Sequence, residues 1–168
     1  YDAIVEVAEN SKSSKVKKDA DYLLTEINLR VSRQVDHSKT IWQKDPPSAI
    51  TAAEKIIATF EGIPMADEFK EVLDEWKNSD DLENFVKLKA DLETVLKEIS
   101  NGGTLLSKED ADKLAEQLGE ISAKGNGNKI SEKADEEKEI LENSFKGTGF
   151  LGINFDQQYT GKGVLISM

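Results

Sequence analysis

Between positions 16 and 35 the apolar residues Val16, Ala20, Leu23, Leu24, Ile27, Val31 and Val35 recur at the three- and four-residue intervals that line one side of a helix. A strand would need alternation, so this spacing predicts a single long α-helix with one apolar stripe. The helix runs on towards Ile41 and Trp42 and must end before Pro46-Pro47, because proline lacks an amide donor and biases its predecessor away from helix. Residues 2–8 either extend this helix or form a separate turn ahead of the serine-rich stretch 11–14.

Further stripes follow at once. A second helix is expected from Asp45 or Pro46, with Ala49, Ile50, Ala53, Ile56, Ile57 and Phe60 as its buried face and Gly62 as its end. Pro64 opens a third, shorter one carrying Met65, Phe69, Val72, Leu73 and Trp76, until Asn78-Ser79 breaks the pattern. Ser79 then suits the N-cap of a fourth, in which Leu82, Phe85, Val86, Leu92, Val95, Leu96 and Ile99 recur up to Asn101-Gly102-Gly103. Four amphipathic helices on short loops hide their stripes against one another. The expectation is an all-α fold: an up-down-up-down four-helix bundle over residues 1–101, with a smaller C-terminal extension, residues 102–168, of two short helices and a Gly-rich tail.

In that extension Ser107 and Asp110 resemble a capping box, ahead of Ala111, Leu114, Leu118 and Ile121 on one narrow face. After Gly125-Asn126-Gly127 comes a helix from about Ile130 to Phe145, whose many acids between Glu132 and Glu142 must be solvated or face a basic partner. Residues 147–168 mix glycines with Phe150-Leu151, Ile153 to Phe155 and Val164-Leu165-Ile166, and two extended segments flanking 157–163 are expected to pair as a hairpin. A lone hairpin is marginal in water, so this tail should rest on the helices or on a partner.

Charge narrows the partners. With 22 Lys and Arg against 33 Asp and Glu the formal charge is −11, which repels nucleic-acid backbones and anionic bilayers and speeds encounter with a basic protein surface. Excess acid is also an ordinary route to solubility. No apolar run approaches the length of a membrane span, so the chain is expected to be peripheral to membranes at most. Absence of cysteine excludes disulfides, thiolate zinc sites and cysteine nucleophiles. A start at Tyr1, with no basic segment leading into an apolar one, is expected either of a chain whose targeting segment has been cut off, as in a processed, exported or organellar protein, or of a fragment.

Residues that could carry chemistry are few. Gly147-Thr148-Gly149-Phe150-Leu151-Gly152 has the spacing G-x-G-x-x-G, but it follows an acidic helix instead of a strand and opens no helix, so it reads as a turn. His37, the single histidine, sits between Asp36 and Ser38 and reads as a helix-surface residue. Glu136 and Glu139 are neighbours on a helix with nothing apolar around them to raise a pKa, and no spaced ligands of an EF-hand loop are present. Trp42 and Trp76 read first as core and second as grips for a partner. No catalytic, cofactor-binding or metal-ligating residue is assigned, and the chain is expected not to be an enzyme.

Two short runs carry a family resemblance. Lys17-Lys18-Asp19-Ala20-Asp21-Tyr22-Leu23-Leu24-Thr25-Glu26-Ile27 resembles a helix of the Q-type extrinsic subunits of photosystem II, and Leu92-Glu93-Thr94-Val95-Leu96-Lys97-Glu98-Ile99 is similar to that family's closing helix. The part after Gly103 looks like the added C-terminal region of the second Q-like subunit of diatoms. The resemblance implies a cofactor-free protein of the thylakoid lumen. It would dock on the photosystem II core or other extrinsic subunits, stabilise the manganese-calcium cluster and help retain calcium and chloride. The plant proteins are basic, so a chain of −11 implies a differently charged receptor surface.

In that scheme Lys15, Lys17 and Lys18 are candidate docking charges, and Phe150, Leu151, Phe155 and Tyr159 are candidate anchors that either grip a partner or pack back on the helices. Two other classes compete: a secreted helical carrier of fatty acids or other apolar ligands, and an exported helical adaptor or effector.

Overall fold

Five helix starts are held by side-chain oxygens placed just ahead of the apolar stripes. Ser13 Oγ accepts from the Val16 amide at 3.4 Å, Asp45 Oδ1 from Ser48 at 3.3 Å, Ser79 Oγ from Leu82 at 3.3 Å and Ser107 Oγ from Asp110 at 3.1 Å. Asn128 Oδ1 accepts from both Ile130 and Ser131, at 3.0 and 2.9 Å. Each contact satisfies an amide that the first helical turn leaves without a carbonyl.

The computed structural model describes residues 1–103 and 106–146, together with the backbone of 149–150, 153–155 and 166–167. Within these residues the fold is all-α, with helices α1 (Asp2–Asn10), α2 (Ser14–Trp42), α3 (Pro46–Thr59), α4 (Pro64–Lys77), α5 (Asp80–Gly102), α6 (Lys108–Gly125) and α7 (Lys129–Lys146). Three short strands follow, β1 (Gly149–Phe150), β2 (Ile153–Phe155) and β3 (Ile166–Ser167), paired antiparallel in the order β1-β2-β3. Residues 2–10 form a helix of their own, and the proline and serine starts of α3 to α6 fall where the sequence places them.

The chain divides into two compact units, residues 1–83 and 84–168. In the first, α2, α3 and α4 bury Val31, Val35, Ala49, Ala53, Ile56, Ala66, Phe69, Leu73 and Trp76 in one cluster. Ala49, Ala53 and Ala66 are wholly inaccessible, and their small side chains let the helix backbones approach closely. Trp42 stacks on Trp76 with ring centroids 4.6 Å apart, and Phe69 meets Trp76 edge-on at 5.6 Å. Both tryptophans therefore belong to the core side of their helices.

In the second unit, Phe85, Leu88, Leu92 and Val95 of α5 share a cluster with Ala111, Leu114, Ala115, Leu118 and Ile121 of α6 and Ile130, Ala134 and Leu141 of α7. The four-helix bundle expected over residues 1–101 is not shown; the buried side chains of α5 join those of the two helices that follow. The stripe of α6 includes Ala115 as well and is broad enough to need cover on more than one side. Periodicity reveals a stripe but does not say which neighbour covers it.

The α6–α7 connection is built by three residues with unusual backbone needs. Asn126 and Gly127 turn the chain at φ 47° and 79°, the left-handed region open to asparagine and glycine. Gly125 is buried, and a Cβ there would lie 2.8 Å from Asn128 Oδ1 and 2.9 Å from Ser131 Cβ. Ser131 Oγ donates to the Ser122 carbonyl at 2.9 Å and lies 3.1 Å from Ser122 Oγ, so the buried hydroxyl is satisfied across the two helices. Asn128→Ala should cost about 1 kcal/mol in a thermal or urea melt, the usual value of a lost N-cap. Asn128→Asp, which keeps the acceptor, should recover most of it.

Candidate functional site

α2 is a 29-residue helix and α3 a 14-residue one, so at 1.5 Å per residue they measure about 43 and about 21 Å. α3 returns from the C-terminal end of α2 and is much the shorter helix. The N-terminal half of α2 is met by the nine-residue α1, which folds back through residues 11–13. Lys17 Nζ donates to the Glu9 carbonyl at 2.8 Å and the Tyr1 hydroxyl to Asn28 Oδ1 at 3.3 Å, which pins the two helices together. α1 itself has no buried residue.

A long amphipathic helix covered on one side leaves apolar groups in water. Of the stripe from Val16 to Val35, Ala20, Val31 and Val35 are buried while Val16 and Leu23 are exposed. The outward face adds Tyr22, 64% exposed, and Leu29. Lys15, Lys18, Tyr22, Leu29 and Arg33 succeed one another at three, four, seven and four residues, which aligns them on one side of α2 with Glu26 among them. All six are exposed. Lys15, Lys18 and Arg33 make no ion pair among the described residues, so the stripe is locally basic on an acidic chain.

Beside this stripe lies a surface groove of about 430 Å³ lined by Leu23, Glu26, Ile27, Arg30 and Arg33. A second groove, of about 550 Å³, runs between α6 and α7 in the other unit, with Ala111, Ala115, Leu141 and Phe145 among its apolar lining and Lys108, Asp112, Glu116, Lys138 and Glu142 among its charged residues.

The candidate residues from the sequence are placed as follows. Lys15 and Lys18 lie on the exposed stripe of α2. Lys17 is turned inward and half-buried, and its bond to the Glu9 carbonyl places its charge at the C-terminus of α1, where a cation meets the negative end of the helix dipole. Phe150 lies on β1 opposite Ile153, and Phe155 on β2 opposite Ile166. Leu151 and Tyr159 lie outside the described residues. Of the G-x-G-x-x-G stretch, Gly149 and Phe150 form β1, and Ile153 just beyond it begins β2.

His37 is exposed on α2, and Glu136 and Glu139 are exposed on α7. Lys133 Nζ lies 2.8 Å from Glu137 and 2.9 Å from Glu136. Hydrogen bonds to Glu137 and then Glu136 push the pKa of Lys133 well up, so it stays a cation throughout the ordinary pH range. In the same way Asp67, hydrogen-bonded to Lys70, raises the pKa of that lysine. Such solvent-exposed pairs contribute little to stability. Among the described residues no three histidine or carboxylate side chains gather into a metal-binding set, and no helix is long and apolar enough to cross a membrane.

The groove residues Arg30 and Arg33 were not singled out by charge or periodicity. Their signal in the sequence is composition: they are the only two arginines, three residues apart, beside twenty lysines. No protein-family model, curated protein or solved structure matches the chain.

Proposed function

We propose that this chain is a non-catalytic docking subunit, and that it works as an extrinsic protein of photosystem II in the thylakoid lumen, supporting water oxidation by binding the core or another extrinsic subunit. The observation that carries the reading is the exposure of Tyr22, Leu23 and Leu29 together with Lys15 and Lys18 on α2. Exposed apolar side chains grouped on one face and rimmed by polar residues are a feature of protein-binding surfaces. The same segment, Lys17 to Ile27, bears the resemblance to the Q-type extrinsic subunits.

The reading asks only for an exposed helical flank. It stands whether or not the helices over residues 1–101 close up-down-up-down. The strands around Phe150 and Phe155 remain a second contact region in this scheme. A carrier of apolar ligands is less favoured, because the grooves lined by described residues are open at the surface and have charged residues in their walls.

Rebinding of the purified protein to salt-washed photosystem II membranes of diatom type should be saturable and salt-sensitive, with recovery of oxygen evolution. Tyr22→Ser should weaken that binding about tenfold, as loss of an aromatic anchor does, without moving the melting temperature. An absence of binding, or binding without any recovery of oxygen evolution, would remove the photosystem reading.

A further inference from the structure

We propose that the groove formed by Leu23, Ile27, Arg30 and Arg33 is a recognition site for an acidic amphipathic helix of a protein partner. This rests on the docking reading above and specifies the chemistry of what is bound.

The groove is lined by the apolar Leu23 and Ile27 and by Arg30 and Arg33 with Glu26 between them, so its described lining carries a net positive charge. Leu23 is 49% exposed and Ile27 half-buried, and they stand one turn apart. Arg30 and Arg33 continue the same flank towards the C-terminus, both exposed, and neither has a hydrogen-bond or ion-pair partner among the described residues. Glu26 precedes Arg30 by four residues, a spacing suited to a helix salt bridge, yet no ion pair joins them. The two guanidinium groups outnumber Glu26, the one carboxylate in the groove's described lining.

Arginine differs from lysine here. Its planar, weakly hydrated fork binds a carboxylate through two parallel hydrogen bonds and tolerates an apolar neighbour. Twenty of the 22 basic residues are lysines, and both arginines lie on this groove. Arg30 and Arg33 are separated by about 4.5 Å along the axis of α2, and carboxylates three or four residues apart on a partner helix have nearly the same rise. Apolar residues one turn before those acids would then meet Leu23 and Ile27. An extended polyanion or an anionic bilayer fits less well, because the chain as a whole carries −11 and would repel it. A short helix with two or three carboxylates meets that repulsion only locally.

Because the chain has two arginines, its arginine side-chain Nε–H signals in a nitrogen-15 spectrum number two, and Arg30→Lys and Arg33→Lys assign them. The full chain would be titrated with a synthetic sixteen-residue helical peptide bearing leucines along one edge and glutamates flanking them. The controls are the same peptide with Gln for Glu, inorganic phosphate, and vesicles of phosphatidylcholine and phosphatidylglycerol. Both Nε–H signals and the Leu23 and Ile27 methyl signals should shift together with the glutamate peptide and not with the glutamine one. Arg30→Gln combined with Arg33→Gln, and separately Leu23→Ser, should each weaken binding about tenfold or more with unchanged melting, and the double Arg→Lys variant should lie between.

Arginine shifts that phosphate or vesicles reproduce, without movement of the methyl signals, would overturn the proposal in favour of a plain anion site. So would methyl and arginine shifts that follow the protein's own concentration, which would make the occupant a second copy, and so would no shift at all. Failure to rebind photosystem II leaves the peptide result standing, whereas a silent peptide titration beside successful rebinding places the docking elsewhere on the chain.

Discussion

Trp76→Ala should destabilise residues 1–83 by about 3–5 kcal/mol, the usual cost of truncating a large buried aromatic. Trp76 is 9% exposed, stacks on Trp42 at 4.6 Å and makes a T-shaped contact with Phe69 at 5.6 Å. Its removal strips both rings of their partner at once, and aromatic pairs contribute about 0.5–1.5 kcal/mol beyond the area they bury. The remaining Trp42 reports the change directly, since both tryptophans lie in this unit and residues 84–168 contain none. In urea its fluorescence transition should move to a markedly lower midpoint, and Trp76→Phe should recover part of the loss by keeping a ring against Phe69. A loss below about 1 kcal/mol would instead be typical of a surface site and would make Trp76 a grip for a partner.

Leu118→Ala should weaken the other unit by about 2–5 kcal/mol. Leu118 is wholly inaccessible and lies in the cluster that joins α5, α6 and α7. The range reflects how far the neighbours can close on the void, and Leu114, Ile121 and Ala134 are themselves tightly enclosed. Amide hydrogen exchange reads the effect by position: protection in α6 and α7 should fall by about thirty- to several-thousand-fold, the same free energies expressed as rate ratios. Protection around Val31, Ala53 and Phe69 should fall less, because the two clusters share no residue. An equal fall throughout would mean that both clusters open as one cooperative body. Little change in α6 and α7 would mean that Leu118 does not hold them.

Helix existence and most helix ends were legible because their causes are local. Asp45 ahead of Pro46-Pro47, Ser79 ahead of Leu82 and Ser107 with Asp110 act through contacts three residues away, which any reading of the chain can see. The left-handed Asn126-Gly127 turn is of the same kind. The surface was less legible. Leu23 belongs to the same stripe as the buried Val31, and sequence alone gives the two residues equal claims to the core. Lys15 and Lys18 were found as exposed cations, whereas Lys17, one residue away from Lys18, is spent on the end of α1.

Local patterning, then, decided that this chain is helical and where its helices begin and stop. Tertiary structure alone decided which helices share a core, assigning α5 to α6 and α7, and which part of the α2 stripe stays open beside Arg30 and Arg33. The reason is physical: capping and periodicity act within a few residues. The covering of an apolar stripe depends on the lengths and return points of helices far apart in sequence, and here a helix of about 43 Å meets neighbours too short to hide all of it.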